Sequence, residues 1–211
     1  MKAILFDSWG TLIENGVKPS PLRQIHEILR VRQSFSEFVQ QFEKSFMTKR
    51  YGDLTEAFNA AIDDLGIRVA PFVVEKLIGL WNKNMLFANP FEDVAELGKL
   101  KQKYKIGLIS NTDPFSLIPV LKKHDLIKYF DVIVLSCDVG LLKTDPKMYE
   151  VCLQQLGVSK EDSVMVGDSL QTDVEGAINA GIRAILMDRK DRREYDPKVT
   201  SLKQLAEVLD G

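Results

Sequence analysis

The sequence is poor in the residues that build many kinds of site. Its 211 residues hold two cysteines, Cys137 and Cys152, and two histidines, His26 and His124. So few thiol and imidazole ligands exclude a Cys/His zinc centre of the usual kind. Two cysteines give no disulfide framework, which fits a reducing, cytoplasmic setting. Charge of one sign is lacking too: 28 basic against 30 acidic residues leave a formal net charge of −2. No strongly basic surface for nucleic acid is expected. No run approaches the ~20 apolar residues of a membrane helix. The start, Met1-Lys2-Ala3-Ile4-Leu5-Phe6-Asp7, reaches an acid after four apolar residues, too few for the core of a secretion signal. The expectation is a cytoplasmic protein with neither membrane nor nucleic acid as partner.

What remains is an ordinary globular balance, 45% apolar and 27% charged. At this length one core with an insert is the natural arrangement. Short apolar runs read as buried strands: Ala3–Phe6, Ile106–Ile109, Val132–Leu135, Val164–Val166 and Ala184–Met187. Helical patterns separate the later ones, which implies a parallel α/β sheet covered on both faces. Nearly a hundred residues separate the first two strands, and they read as helices. Ser20-Pro21 and the capping-box spacing of Ser34 and Glu37 mark two starts, and Asp53 with Glu56 marks a third. Apolar stripes follow at Phe35, Phe38, Val39, Phe42 and Phe46, at Leu54, Phe58, Ile62 and Leu65, and at Val74, Leu77, Ile78, Trp81 and Met85. The aromatic stripe reads as bundle core. The reading is a Rossmann-like core, residues 1–13 and 88–211, with an inserted helical cap domain at 14–87.

Four strand ends carry candidate chemistry. The first strand runs into Asp7-Ser8-Trp9-Gly10-Thr11, where Gly10 permits a sharp turn and Thr11 can fix it by a local hydrogen bond. Ile109 is followed by Ser110-Asn111-Thr112, small polar groups suited to an anion, with Ser110, Thr112 or Asp113 equally able to cap the next helix. Lys143 precedes Asp145-Pro146, a cap and first helical residue, and could neutralise a phosphoryl group and steady a carboxylate. Val166 leads into Gly167-Asp168, with Asp173 five residues on. Carboxylate oxygens of this kind suit a hard ion such as Mg²⁺, with Asp168 as a direct ligand and Asp173 supporting the ligands from behind. In a parallel sheet all four ends meet at one edge, where open α/β sheets bind ligands.

Together, Asp7-Ser8-Trp9-Gly10-Thr11, Ser110-Asn111, Lys143-Thr144-Asp145-Pro146 and Gly167-Asp168 with Asp173 resemble the motifs of the haloacid dehalogenase-like hydrolase superfamily. The helical insert resembles that family's C1 cap. The resemblance implies a nucleophilic Asp7, phosphate contact by Ser110 with Asn111, and charge support from Lys143. It also implies Mg²⁺ bound by Asp7, Asp168 and the backbone carbonyl of Trp9, and a small phosphorylated substrate turned over through an aspartyl-phosphate.

One position departs from the family pattern. Its phosphatases carry a second Asp two residues after the nucleophile, which protonates the leaving group and later activates water. Trp9 stands there instead. Indole donates a hydrogen bond but does not titrate usefully, so a slow phosphatase is expected, or one confined to good leaving groups. Glu14 or another acid near the cap hinge could substitute, and Trp9 could equally form a wall of the substrate pocket. An aromatic residue at this position also resembles the family's metal-independent 2-haloacid dehalogenases. A non-catalytic, phosphate-binding member is a third reading. Asp188–Lys198, crowded with charge, reads as a solvated loop.

Overall fold

The computed structural model describes residues 1–210. Its strands, in chain order, are β1 (Ala3–Phe6), β2 (Ile13–Glu14), β3 (Asn89–Pro90), β4 (Lys105–Ser110), β5 (Val132–Leu135), β6 (Ser163–Gly167), β7 (Arg183–Met187) and β8 (Lys198–Val199). Six form one parallel sheet in the order β5-β4-β1-β6-β7-β8. The chain leaves β1 towards β4 and β5, then returns to the other side of β1 for β6. The carboxyl ends of β1, β4 and β6 therefore flank the point where the winding reverses, and a crevice opens there.

Both faces of the sheet are buried, so its strands are apolar without interruption. Ile4 and Phe6 join Leu108 and Val166 in one core, while Ala3 and Leu5 join Ile109 and Met165 in the other. Alternate residues of a strand point to opposite faces, and the two cores follow from that period of two.

Four helices lie between β2 and β3: α1 (Pro21–Leu29), α2 (Phe35–Phe46), α3 (Leu54–Asp64) and α4 (Pro71–Phe87). Ser34 caps α2 in a reciprocal capping box with Glu37, and Asp53 caps α3 by accepting from Glu56 N at 2.8 Å. Gly66 ends the α3 segment with φ +68°, where a side chain would be strained. These helices bury a core of their own. Phe42 and Phe46 stack at 4.8 Å between centroids, and Trp81 meets Phe46 edge-on at 5.0 Å. The two-stranded antiparallel ribbon of β2 and β3 carries the chain out of the sheet and back.

The remaining helices clothe the sheet: α5 (Leu97–Leu100), α6 (Leu117–Lys123), α7 (Ser136–Val139), α8 (Pro146–Leu156), α9 (Glu175–Asn179) and α10 (Leu205–Asp210). Asp145 caps α8, with Pro146 in its first turn. Among the described residues no helix is long and apolar enough to cross a membrane.

The sequence reading missed β8 and much of what the segment before it does. Asp188 is buried, and its carboxylate accepts from Arg192 N and Arg193 N. Arg189 donates to the Thr11 carbonyl and to Asp93 Oδ2, the latter at 2.6 Å. Arg193 donates to the Asp168 carbonyl. Asp188, Arg189 and Arg193 thus brace two strand-end loops, while Lys190, Asp191, Arg192 and Glu194 stay exposed as a solvated loop; composition alone does not separate the two sets.

Candidate active site

β1 ends by presenting Asp7, and the chain then turns back at Gly10, φ +82°. Backbone bonds hold this turn, with Leu12 N and Ile13 N both reaching the Ser8 carbonyl at 2.8 Å. The Thr11 hydroxyl, expected to help, is buried without a hydrogen-bond partner. Gly10 is needed for a second reason: a Cβ there would lie 2.5 Å from Asp168 Oδ2. The two loops touch, and that contact brings the acid of β6 against the acid of β1.

After β6 the chain makes a single π-helical turn, Leu170–Val174, in which Val174 N reaches the Ser169 carbonyl five residues back. Such turns recur at functional sites. This one swings Asp173 under the loop, where its Oδ2 accepts from Ser169 N at 3.0 Å. Gly167 leaves the space, since a Cβ there would lie 2.3 Å from Asp173 Cγ. Asp173 thus stands close to the other two acids, within the same cluster of carboxylates.

Lys143 completes the floor. Its ammonium is 2.5 Å from Asp7 Oδ1 and 2.6 Å from Asp173 Oδ1, and the side chain is 3% exposed. Ligand oxygens of Asp7, Asp168 and Asp173 lie within 4.8 Å of one another. Three carboxylates face one lysine, an imbalance that bears on Asp7 and Asp168. Burial pushes Asp7 up to about 6, although Lys143 opposes it. Burial, with the charges of Asp7 and Asp173 beside it, pushes Asp168 up to about 8. Burial would lower the lysine, but Asp173 and Asp7 outweigh it and hold the ammonium protonated. Asp7 Oδ2 is buried with no hydrogen-bond partner. An all-oxygen donor set with surplus negative charge and an orphaned carboxylate oxygen fits a hard divalent cation.

The second motif behaves differently. Ser110 is fully buried, and its hydroxyl is 2.6 Å from that of Ser8, so it sits behind the cavity lining. Asn111 does line the cavity. Its Oδ1 accepts from Lys143 N, and its Nδ2 donates to Glu43 Oε2, both at 2.9 Å. Trp9 lines the same cavity. Of the three capping candidates after β4, Asp113 is the one that accepts from the turn, from Phe115 N and Ser116 N, and leads the chain into α6.

The cavity measures about 780 Å³ and lies between the strand ends and the insert. Its floor is Asp7, Lys143, Asp168 and Asp173; its opposite wall includes Phe35, Val39, Glu43, Met47 and Trp81. Hydrogen bonds close the seam around it. Trp81 Nε1 donates to Asp113 Oδ2 at 3.1 Å, and Ser136 Oγ donates to the Met47 carbonyl at 2.6 Å. Glu43 escaped the sequence reading, and burial pushes its carboxyl up to about 7. A signal was present: Ser36, Gln40, Glu43 and Met47 follow a helical period beside the aromatic stripe, and all four line the cavity.

Residues 1–181 match the model of the haloacid dehalogenase-like hydrolases. The chain belongs to that family. This haloacid dehalogenase-like hydrolase is 28% identical to the pyrophosphatase PpaX of Halalkalibacterium halodurans, across 100% of its own length and 96% of the relative's. It is 26% identical to N-acylneuraminate-9-phosphatase of Homo sapiens, over 90% of this chain and 84% of that one. Among solved structures, a HAD phosphatase from Thermococcus onnurineus superposes with a TM-score of 0.66 at 27% identity, covering 100% and 99% of the two chains. A 2-haloacid dehalogenase from Pseudomonas syringae pv. Tomato shares the fold, with a TM-score of 0.68 at 22% identity and 100% and 98% coverage. The hydrolase is an enzyme of the phosphatase type of its family.

Proposed function

We propose that the protein is a Mg²⁺-dependent phosphatase that hydrolyses a small phosphorylated metabolite through an aspartyl-phosphate on Asp7. The carrying observation is the buried cluster of Asp7, Asp168, Asp173 and Lys143 at one sheet edge. Asp7, Asp168 and the Trp9 carbonyl would hold the cation, which when bound lowers the charge on the attacking and transferred oxygens. Residues 14–87 would act as the cap. The phosphatase relatives support this reading, since they are named for acting on phosphorylated compounds.

The floor's own groups have separable tasks. Lys143 orients the Asp7 carboxylate by its short contact and supplies positive charge for phosphate oxygens. One Asp7 oxygen attacks phosphorus in line with the leaving oxygen, and water then hydrolyses the resulting acyl phosphate. Ser110, locked to Ser8, fixes the backbone next to Asp7, and Asn111 offers its remaining N–H to the phosphate. The Thr11 carbonyl, bonded by Arg189, and Asp173, bonded by Ser169 N, hold the two acid-bearing loops in place. The cap excludes bulk water from this step.

The dehalogenase reading calls for an arginine to hold the substrate carboxylate, and among the described residues no arginine lines the cavity. Arg23 instead lies over the Phe35 ring at 4.2 Å. An aryl phosphate and a 2-haloacid, each assayed with Mg²⁺ and with chelator, separate the readings. Metal-dependent phosphate release that falls by roughly 10⁴-fold or more in Asp7→Asn is the expected result. Halide release that survives chelation would replace this proposal with the dehalogenase. Silence on both substrates, with tight binding of a phosphate-like anion, would make the protein a binding member of the family.

A further inference from the structure

The chain lacks an acid at Trp9, so some other group must handle the leaving-group proton if ordinary alcohols are to depart. An in-line displacement fixes where that group must stand. Asp7 attacks from the floor, so the leaving oxygen points to the opposite side of phosphorus, towards the helical wall. The water of the second step arrives from that same side. One carboxyl on the wall could therefore serve both steps.

The cavity lining narrows the choice. Its ionisable side chains are Asp7, Lys143, Asp168 and Asp173 on the floor, with Glu43 and Lys44 on the wall. Lys44 is exposed. Glu14, the acid nearest the hinge, is about half exposed at 48%, pairs with Lys18 at 2.7 Å, and does not line the cavity. Glu43 is inside, reaching across from α2 to accept from Asn111 Nδ2 through one carboxylate oxygen. Asn111 is itself fixed by Lys143 N, so the carboxyl is tied to the floor by two successive 2.9 Å bonds. The geometry points to Glu43 as the general acid and base of this enzyme, a catalytic residue supplied by the insert in place of the acid absent at Trp9.

This inference rests on the aspartyl-phosphate reading above. In the first step Asp7 Oδ forms a bond to phosphorus, the bond from phosphorus to the leaving oxygen breaks, and protonated Glu43 gives its proton to that oxygen. The alcohol leaves and Glu43 is a carboxylate. In the second step Glu43 takes a proton from water as the water oxygen bonds to phosphorus. The bond to Asp7 breaks, phosphate leaves, and both side chains return to their starting forms. The position of Glu43 in pH, raised to about 7 chiefly by burial, suits both duties. The charges facing it across the seam are Lys143, Asp173 and Asp7, and on its own helix Lys44 follows it.

The test is a series of aryl phosphates of rising leaving-group pKa, from 2,4-dinitrophenyl to phenyl phosphate, measured in the first turnover by rapid quench. Glu43→Gln keeps an acceptor for Asn111 but carries no titrating proton. It should slow phenyl phosphate by about 10²-fold or more and leave dinitrophenyl phosphate within about 3-fold, because that leaving group needs no proton. The variant should also lose the fall in first-turnover rate as pH rises through about 7. In Glu43→Ala, added formate should restore part of the phenyl phosphate rate. Equal slowing across the series, or a pH limb that survives in Glu43→Gln, overturns the role of Glu43 and leaves the nucleophile intact. Absence of any phosphorylated Asp7 in the unsubstituted protein overturns the reading on which both depend.

Discussion

Strand ends β1 and β6, with the loop before α8, press three carboxylates and one lysine into a buried floor, whereas the helices opposite are held by a core of their own, with Phe38, Phe42, Phe46, Phe58 and Trp81 packed ring against ring. The floor is an electrostatic structure held by paired charge and backbone bonds, and it stays short of positive charge. The wall is a hydrophobic structure with a core separate from those of the sheet. Buried charge is poor material for stability, because desolvation consumes most of what attraction returns. Aromatic burial is good material for it. Stability and chemistry are thus assigned to different parts of the chain, and the two meet at a few hydrogen bonds along the seam.

The comparison can be broken from either side. Lys143→Met strands Asp7 and Asp173 as unpaired buried charges and should cost about 3–5 kcal/mol, together with most of the activity. Added Mg²⁺ should recover part of the melting temperature, a dependence that thermal denaturation with and without the ion would detect. If the melting temperature rose instead, the floor would not depend on Lys143 for its charge balance. Phe42→Ala removes a fully buried ring and should cost about 3–5 kcal/mol. Divalent-ion affinity by calorimetry should stay at its original value in the same variant, because no floor residue is touched. Trp81→Phe keeps the ring packing but removes one of the bonds to Asp113 Oδ2, which keeps the Ser116 hydroxyl, for about 0.5–1.5 kcal/mol. Small-angle scattering of that variant should show a looser seam.

The smallest effect is electrostatic and lies outside both regions. Burial would raise Asp93, but Arg189, Ser201 and Leu202 N outweigh it and hold its carboxyl below the usual range. A depressed carboxyl contributes stability above its unfolded pKa and loses it as pH falls through the folded one. Denaturant midpoints should therefore decline on acidification below about pH 4, and Asp93→Asn should flatten that decline. An unchanged slope would mean that other carboxylates govern the acid limb.

Much of the floor could be read from the sequence, because it rests on local rules. A buried parallel strand is a short apolar run, its carboxyl end is a predictable place, and Asp7 and Asp168 stand directly at such ends. β1 and β5 run over the residues expected, and β4, β6 and β7 extend only one residue or so beyond. The aromatic stripe of α2 was equally legible, since a period of 3.6 marks an inner face. The missed parts depend on long-range contact. Glu43 occupies the polar flank of α2, which looks solvated until the insert folds back over β4. Ser110 turns from the cavity because Ser8, 102 residues earlier, offers its hydroxyl a partner. Arg189 and Arg193 look like surface charge until their carbonyl partners on other loops are in place.

The central claim is covalent chemistry at Asp7, and peptide mass spectrometry after an acid quench in heavy-oxygen water reads it directly. With an aryl phosphate and Mg²⁺, the account predicts one phosphoryl group on the peptide carrying Asp7 during turnover, with the heavy oxygen ending in released phosphate. An Asp7 peptide that never gains a phosphoryl group and instead takes the heavy oxygen into its own carboxylate would contradict it.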